Sequence, residues 1–120
     1  MYDMKALYQA QSVADAVALR VAHPEAQIIA GGSDVLVQMR EGKRAGVELI
    51  SIYGLDELRG VTMEDDGTLR IGSLTSFSHI TRAPLIQKYL NVLGEAVDQV
   101  GGPQIRNIGT IGGNTCNGVT

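Results

Sequence analysis

The sequence is poor in the residues that most often bind metals or form cross-links. It has a single cysteine, Cys116, and two histidines, His23 and His79, among 120 residues. One cysteine cannot form an internal disulfide, and the three residues are not spaced in the sequence as metal ligands are. We therefore expect no zinc or iron–sulfur site in this chain. Cys116 is interpreted as a packed thiol, and the histidines as surface or helix-end residues.

The chain also lacks an excess of positive charge. Its formal net charge is −3, and it contains no tryptophan and one phenylalanine. Nucleic-acid binding needs a cationic face and often stacking aromatic rings, so the composition argues against a nucleic-acid partner. The apolar runs are far shorter than the ~20 residues that cross a bilayer, and the N-terminus has no basic segment before an apolar one. We expect a cytoplasmic protein without a membrane partner, which binds a small molecule or another protein.

The apolar fraction of 44% is sufficient for a folded core. The first block of the sequence, residues 1–54, is predicted to be β-α-β-α-β. Ser12 followed by Asp15 resembles a capping box, which indicates the start of a helix. The predicted elements are a helix from Ser12, strands at 26–30 and 46–52, and a helix at 35–41 that ends at Gly42.

The second block, residues 55–120, has an α+β pattern. The pair Asp66-Gly67 is a strong hairpin signal and predicts that Val61–Met63 pairs antiparallel with Leu69–Ile71. A short turn or helix is expected at "TSFSHIT". One helix is then predicted from Pro84 to the glycines at 101 and 102, with an apolar stripe at Ile86, Leu90, Leu93, Val97 and Val100.

The stretch "IIAGGSDVLV" places two glycines between a predicted strand and a predicted helix. Such a turn exposes several backbone N–H groups, which favours binding of an anion and above all of a phosphate, and a Cβ there would hold the phosphate away. The sequence has neither a Walker loop nor a Rossmann glycine fingerprint. The simpler interpretation, a tight turn capped by Ser33 or Asp34, stays open on this stretch alone.

A second glycine-rich stretch, "GGPQIRNIGTIGGNTCNGVT", ends the chain. It keeps Ile105, Ile108 and Ile111 at a spacing suited to burial, so we expect the backbone here to approach another group closely. No closing element follows, and we expect the chain to continue in the natural protein.

The segments "AGGSD" and "IRNIGTIGGN", with "LRIGSLTSFSHI" between them, resemble the FAD-binding medium subunits of the xanthine dehydrogenase or molybdenum hydroxylase family. The resemblance covers the whole chain in the family's order and is especially close to bacterial xanthine dehydrogenases. It implies the N-terminal part of an α+β, two-subdomain FAD-binding fold of the vanillyl-alcohol oxidase and carbon monoxide dehydrogenase flavoprotein type. Residues 1–54 would form the first subdomain, and residues 55–120 would form a second that is incomplete at its C-terminal end.

The resemblance also implies the residues of the cofactor site. Two loops would bring backbone amides, together with the side chains of Thr110 and Asn114, to the pyrophosphate and flavin of FAD. The Asp34 carboxylate would repel a diphosphate, so we expect its side chain to turn away and cap the helix at 35–41. The implied cofactor-binding residues are Ile28, Ile29, Ala30, Gly31, Gly32, Ser33 and Asp34 in the first loop, and Gly109, Thr110, Ile111, Gly112, Gly113 and Asn114 in the second.

Members of this family act as electron relays in heterotrimers, which implies an oxidoreductase subunit with no catalytic residue of its own. The implied partners are an iron–sulfur subunit, a molybdenum-cofactor subunit and NAD as electron acceptor, with a purine as the substrate of the complex. Arg106 either pairs with an acid to hold the second loop or faces a partner subunit. An alternative function is a non-catalytic nucleotide-diphosphate-binding or assembly module, which visible flavin absorbance would distinguish from the first.

Overall fold

The computed structural model describes residues 2–119. Their backbone forms two compact units: one ends at Leu55 and the other begins at Asp56. No helix within the described range is both long and apolar enough to span a membrane. In the same range, no three histidine, cysteine, aspartate or glutamate side chains are grouped as a metal site.

The unit up to Leu55 is a three-stranded parallel sheet with two helices. Strand order is β1-β3-β2, so β3 is the central strand and pairs with both neighbours. The β-α-β-α-β order predicted from the sequence is confirmed. The elements are β1 (Met4–Gln9), α1 (Val13–Ala22), β2 (Gln27–Ile29), α2 (Val35–Arg40) and β3 (Val47–Ser51).

Helix α1 begins at the predicted cap. The Ser12 hydroxyl accepts a hydrogen bond from the Asp15 N–H at 3.0 Å. The Asp15 carboxylate in turn accepts from the N–H of Gln11 at 2.8 Å, one residue before the cap. Together these bonds satisfy two N–H groups that a helix start would otherwise leave without partners.

Helix α2 ends where Gly42 adopts a left-handed backbone, with φ +81°. The Gly42 N–H donates to the carbonyl of Met39, and the Lys43 N–H donates to that of Gln38, each at 3.0 Å. This pair of bonds is the Schellman ending of a helix, which favours glycine because a side chain at this φ is strained. The predicted stop at Gly42 is therefore confirmed.

The core of this unit lies on both faces of the central strand. Leu49 and Ile50 are consecutive residues of β3, so their side chains point to opposite faces of the sheet, and both are buried. The adjacent helix α2 contributes the buried side chain of Met39. The other buried apolar residues of the unit are Ala10, Ala26 and Leu55.

The described part of the unit from Asp56 onwards combines a hairpin with one 3₁₀ helix and five short α-helices. Its elements are a 3₁₀ helix (Asp56–Leu58), β4 (Val61–Met63), β5 (Leu69–Ile71), α3 (Phe77–Arg82), α4 (Pro84–Tyr89), α5 (Asn91–Val97), α6 (Pro103–Ile108) and α7 (Ile111–Asn117). The buried cluster that holds these helices comprises Phe77, Ile80, Ala83, Ile86 and Val97.

Strands β4 and β5 pair antiparallel as predicted, with Val61 opposite Ile71 and Met63 opposite Leu69. In the turn, the Asp66 carboxylate accepts a hydrogen bond from the Thr68 N–H at 2.9 Å, and Gly67 has φ +86°. That backbone hydrogen bond from Thr68 lowers the pKa of Asp66 below its ordinary value of 3.8. The hairpin prediction is confirmed.

The single helix predicted from Pro84 is wrong, because the chain leaves the helical conformation at Leu90. This residue has φ −147° and ψ 47°, and it separates α4 from α5. Ile86 on α4 and Val97 on α5 both enter the buried cluster, and both helices contact α3. The break lets each short helix pack on α3 along its own direction, a tertiary effect that the apolar spacing does not encode.

Two expectations about the end of the chain are also wrong. Ile105 and Ile108 on α6 are 40% and 38% exposed, whereas Ile111 is half-buried and packs against the buried cluster. Cys116 is exposed rather than packed, because it lies on an outward position of α7. Helices α6 and α7 are short and lie at the surface of their unit, so the spacing of the first two isoleucines does not lead to burial.

Candidate functional site

The first glycine segment, residues 28–34, leads from β2 into α2. Ile28 and Ile29 end β2, which is an edge strand of the three-stranded sheet. Residues 30–34 form the turn that reaches the first residue of α2, Val35. All seven residues proposed from the sequence for this segment therefore lie in one continuous strand-to-helix connection.

Gly32 has a left-handed backbone, with φ +78°. A Cβ at this position would lie 3.0 Å from Cδ1 of Leu36 and 3.4 Å from Cδ1 of Ile29. The side chain of any other residue would thus point at two apolar side chains, not away from the segment. Glycine is favoured here by the backbone conformation. The expectation that a Cβ in this turn would hold a phosphate away stays a prediction.

The backbone N–H groups of this turn are available to a ligand. Within residues 2–119, the N–H groups of residues 31–34 make no hydrogen bond. The carbonyls of Gly32 and Asp34 do have partners, since they accept from Leu36 and Gln38 at 3.0 Å. Successive N–H groups without acceptors beside a left-handed glycine form the kind of nest that binds a phosphate group.

The expectation that Asp34 caps α2 is wrong. Asp34 occupies the cap position, but its backbone is helical, with φ −107° and ψ −50°, and its side chain makes no capping bond. A capping side chain needs an extended backbone to reach back to the helix N–H groups. The Asp34 carboxylate instead accepts a hydrogen bond from the side-chain amide of Gln38 at 2.6 Å.

The second glycine segment, residues 109–114, is a helix start and not a loop. Gly109 and Thr110 connect α6 to α7, and Ile111–Asn114 lie within the first residues of α7. The buried Thr110 is the cap of this helix, and its hydroxyl oxygen accepts from the Gly113 N–H at 3.1 Å. The sequence predicted the segment but did not predict that it is helical, because glycines disfavour helix.

Five of the six backbone N–H groups of the second segment, all except that of Thr110, have partners within the described residues. The Ile111 N–H donates to the carbonyl of Thr75 at 3.1 Å, and the Gly112 N–H donates to that of Ser73 at 2.8 Å. The Asn114 N–H donates to the carbonyl of Thr110 at 3.0 Å. Within residues 2–119, the exposed Asn114 side chain makes no hydrogen bond. This side chain is therefore an exposed polar group of the segment that a ligand can reach.

Close backbone approach explains two of the glycines. A Cβ at Gly112 would lie 2.7 Å from both the Cβ and the carbonyl oxygen of Ser73. A Cβ at Gly109 would lie 2.9 Å from the carbonyl of Ile105 and from the ring of Phe77. The expected close approach is present, and the group approached is the protein's own chain.

Ser73 and Thr75 hold the second segment, although the sequence did not predict this role for them. Both carbonyls accept hydrogen bonds from α7, and Thr75 is fully buried. They lie within the "LRIGSLTSFSHI" segment that carries the family resemblance. That shared segment is the signal that could have identified them, whereas no periodicity or motif rule selects a main-chain acceptor.

Arg106 has the structural role that was one of its two predicted alternatives. Its guanidinium lies 3.8 Å from the Asp98 carboxylate and donates to the carbonyl of Gly101 at 2.6 Å. These contacts join α6 to the residues between α5 and α6.

His23 ends α1 and stacks on Tyr8 with ring centroids 4.2 Å apart.

The groups present fit a cofactor that contains a diphosphate. The first segment offers unpaired N–H groups and includes neither lysine nor arginine, so an anion bound there would be held by backbone amides. The second segment offers the Asn114 amide, which can both donate to and accept from a ligand. Taken separately, the N–H groups of the first segment suit the anionic pyrophosphate of FAD, and the Asn114 amide suits one of its neutral hydrogen-bonding groups.

Comparisons with known proteins agree with this fit. Residues 2–120 match the family of FAD-binding domains in molybdopterin dehydrogenases. Aligned over its full 120 residues, the chain is 42% identical to the xanthine dehydrogenase FAD-binding subunit of Escherichia coli O157:H7. The alignment covers 41% of that protein. The nicotinate dehydrogenase FAD-subunit of Eubacterium barkeri is 41% identical over 87 residues, which are 72% of this chain and 29% of that protein.

The fold is that of a solved relative. Carbon monoxide dehydrogenase from Hydrogenophaga pseudoflava, in a form that lacks the Mo-pyranopterin moiety, matches 98% of this chain with a TM-score of 0.93 and 34% identity. The chain spans 41% of the length of that structure's chain. The α+β fold of the carbon monoxide dehydrogenase flavoprotein type and the FAD cofactor, both predicted from the sequence, are confirmed. The chain belongs to the family of FAD-binding domains in molybdopterin dehydrogenases.

Proposed function

We propose that this chain is part of the flavoprotein subunit of a xanthine dehydrogenase that carries electrons from iron–sulfur clusters to NAD. The observation that carries the proposal is the row of N–H groups at residues 31–34, which make no hydrogen bond within residues 2–119. Together with the left-handed Gly32, they supply the donors that a bound pyrophosphate needs.

The first segment's contribution is to hold the pyrophosphate without a charged side chain. Backbone N–H groups bind an anion through hydrogen bonds whose positions are set by the turn itself. The only charged side chain of the segment, Asp34, is bonded to Gln38 along α2. The turn thus holds the diphosphate with neutral donors, and we assign Ile28, Ile29, Ala30, Gly31, Gly32, Ser33 and Asp34 to this contact.

The second segment contributes side chains. Its N–H groups at Ile111, Gly112 and Gly113 are bonded within the protein, so the Asn114 amide and the Thr110 hydroxyl proton remain to meet the cofactor. The fixed backbone of α7 holds both side chains at set positions. We assign Gly109, Thr110, Ile111, Gly112, Gly113 and Asn114 to this second contact.

When bound, FAD supplies the electron chemistry, because a flavin can accept electrons singly and deliver a pair as hydride. The chain's own residues therefore act by binding and orienting the cofactor, and no general acid or base is assigned. The chain has one cysteine, which is too few to ligate an iron–sulfur cluster. We propose, from the family resemblance, that electrons reach the flavin from an iron–sulfur subunit and, before it, from a molybdenum-cofactor subunit.

The proposed substrate of the complex is a purine such as xanthine or hypoxanthine. The support is the 42% identity over all 120 residues to a protein named for xanthine dehydrogenase. The relative named for nicotinate dehydrogenase aligns over 87 residues only. NAD is proposed as the acceptor by the same resemblance.

The proposal is tested on the tagged protein isolated with its partners from its native host. We expect visible flavin absorbance, co-purifying iron–sulfur and molybdenum subunits, bleaching of the flavin by xanthine, and recovery of the absorbance when NAD is added. Nicotinate and carbon monoxide serve as control substrates in parallel samples. A protein that stays colourless after addition of FAD would contradict FAD binding, and bleaching by a control substrate alone would contradict the purine assignment.

A further inference from the structure

Thr75 has a fully buried side chain whose hydroxyl is bonded twice to one residue. The hydroxyl oxygen accepts from the N–H of Gly60 at 3.0 Å. The same hydroxyl donates to the carbonyl of Gly60 at 3.2 Å, and the exposure of Thr75 is 0%. Because the Thr75 side chain bonds both the N–H and the carbonyl of Gly60, it holds the backbone of the turn at Gly60 in place, and we call this contact a clamp.

The carbonyl of Thr75 is bonded to the second glycine segment. It accepts the Ile111 N–H at 3.1 Å, beside the bond from the Gly112 N–H to the carbonyl of Ser73 at 2.8 Å. The hydroxyl and the carbonyl of Thr75 therefore join the turn at Gly60 to the start of α7. Thr75 is not among the residues assigned to cofactor binding.

Loss of the hydroxyl would leave the Gly60 N–H without its partner. The carbonyl of Gly60 would keep a bond, because it also accepts from the Gly72 N–H at 2.9 Å. A half-buried N–H without an acceptor is costly, so the chain near Thr75 would shift or admit a water molecule. Any shift of the Thr75 carbonyl would be passed to Ile111 through the bond between them.

We propose that Thr75 is a positioning residue for FAD. By clamping Gly60 it fixes the start of α7, and through α7 it fixes the Asn114 side chain that meets the cofactor. This inference rests on the proposed contact between the second glycine segment and FAD. Its role is indirect, since Thr75 acts through Ile111 and Gly112.

The test compares three variants of the purified protein. Thr75→Val keeps the shape of the side chain but removes the hydroxyl, and Thr75→Ser keeps the hydroxyl. Thr81→Val is the matched control, because the Thr81 hydroxyl donates to the carbonyls of Phe77 at 3.1 Å and Gly94 at 3.4 Å and, among the described residues, makes no hydrogen bond to α7. If Thr75→Val does not fold, Thr75→Cys replaces it, because a thiol is a much weaker hydrogen-bonding group.

Two readouts separate positioning from general stability. FAD affinity is measured by flavin fluorescence quenching. The orientation and surroundings of the bound flavin are monitored by its visible circular dichroism. We expect Thr75→Val to weaken FAD binding by about tenfold or more and to change the flavin circular dichroism. Thr75→Ser should restore both, and Thr81→Val should lower the melting temperature while leaving both unchanged.

The inference is overturned if Thr75→Val binds FAD with wild-type affinity and an unchanged flavin spectrum, or if Thr81→Val changes both readouts equally. An Asn114→Ala variant separates this failure from failure of the proposed site. If Asn114→Ala weakens FAD binding while Thr75→Val does not, the positioning role alone is wrong. If Asn114→Ala has no effect on either readout, the second segment does not contact FAD.

Discussion

Gly112 donates its N–H to the carbonyl oxygen of Ser73 at 2.8 Å, and a Cβ on Gly112 would lie 2.7 Å from that same oxygen. The hydrogen bond and the absence of a side chain depend on each other, since a larger residue could not approach closely enough to form the bond. The start of α7 is therefore held by a backbone contact that only glycine permits.

Gly112→Ala should destabilise the protein. The added methyl would meet backbone atoms of Ser73, which cannot turn aside as the end of a flexible side chain can. We expect a loss of about 1–3 kcal/mol in the free energy of unfolding, measured by urea denaturation. Gly54→Ala is the control, because a Cβ there has no heavy atom within 4 Å. Equal stability of the two variants would show that the contact at Ser73 is not tight.

Asp66→Ala should remove a pH-dependent part of the stability. The pKa of Asp66 is lowered because its carboxylate accepts the Thr68 N–H, so ionised Asp66 stabilises the folded state. The contribution is present above the ordinary pKa and is lost as the pH falls through the lowered one. The melting temperatures of wild type and variant should therefore differ most at pH values above the ordinary pKa of 3.8 and converge only as the pH falls below it, through the lowered pKa.

The matched control for this pH dependence is Asp65→Ala. The Asp65 carboxylate makes no hydrogen bond within residues 2–119, although it lies in the same turn. Its removal takes the same charge from the turn without removing the hydrogen bond to Thr68, so Asp66→Ala should lower the melting temperature more than Asp65→Ala does at neutral pH. A constant difference between wild type and Asp66→Ala across the whole range would contradict the role given to Asp66.

Asp34→Asn should strengthen FAD binding at low ionic strength. An asparagine oxygen can still accept the bond from Gln38, but the negative charge beside the unpaired N–H groups is lost. We expect a gain of roughly two- to fivefold in affinity that shrinks as salt is added. Glu41→Gln is the control, since the Glu41 carboxylate pairs with Lys43 at 2.7 Å at the far end of α2. Weaker binding by Asp34→Asn would mean that the carboxylate itself contacts the cofactor.

The sequence predicts those parts of the fold that depend on local backbone conformation. Gly42 and Gly67 both have left-handed backbones, and each ends or turns an element where the sequence indicates it. Asp15 completes the predicted helix start by accepting from a nearby N–H. In each case the interacting groups lie within a few residues of each other, so the local sequence is sufficient to predict the structure.

What the sequence does not predict depends on tertiary contacts. Leu90 interrupts an apolar stripe that is regular in the sequence, because α4 and α5 each pack on α3. The helical backbone of Asp34 removes the cap that its residue type favours. For the candidate site, the two glycine segments were found from their composition, whereas the hydrogen bond from Gly112 to Ser73 joins residues far apart in the chain.

Gly32→Ala, compared with Gly42→Ala, tests whether the turn at Gly32 binds FAD through its unpaired N–H groups. Both glycines are left-handed, with φ +78° and +81°, so both substitutions carry a similar backbone strain of about 1–2 kcal/mol. A Cβ at Gly42 has no heavy atom within 4 Å, and the contact at Gly32 is to the end of the Leu36 side chain. The two variants should therefore lose similar stability.

The most direct measurement is the dissociation constant of FAD for wild type, Gly32→Ala and Gly42→Ala, obtained by flavin fluorescence quenching of the purified apoprotein. Alanine at position 32 would rotate the adjoining N–H groups away from their present directions, so affinity should fall by about tenfold or more. Gly42→Ala should bind FAD as the wild type does. Equal dissociation constants for the three proteins would contradict the claim that this turn holds the cofactor.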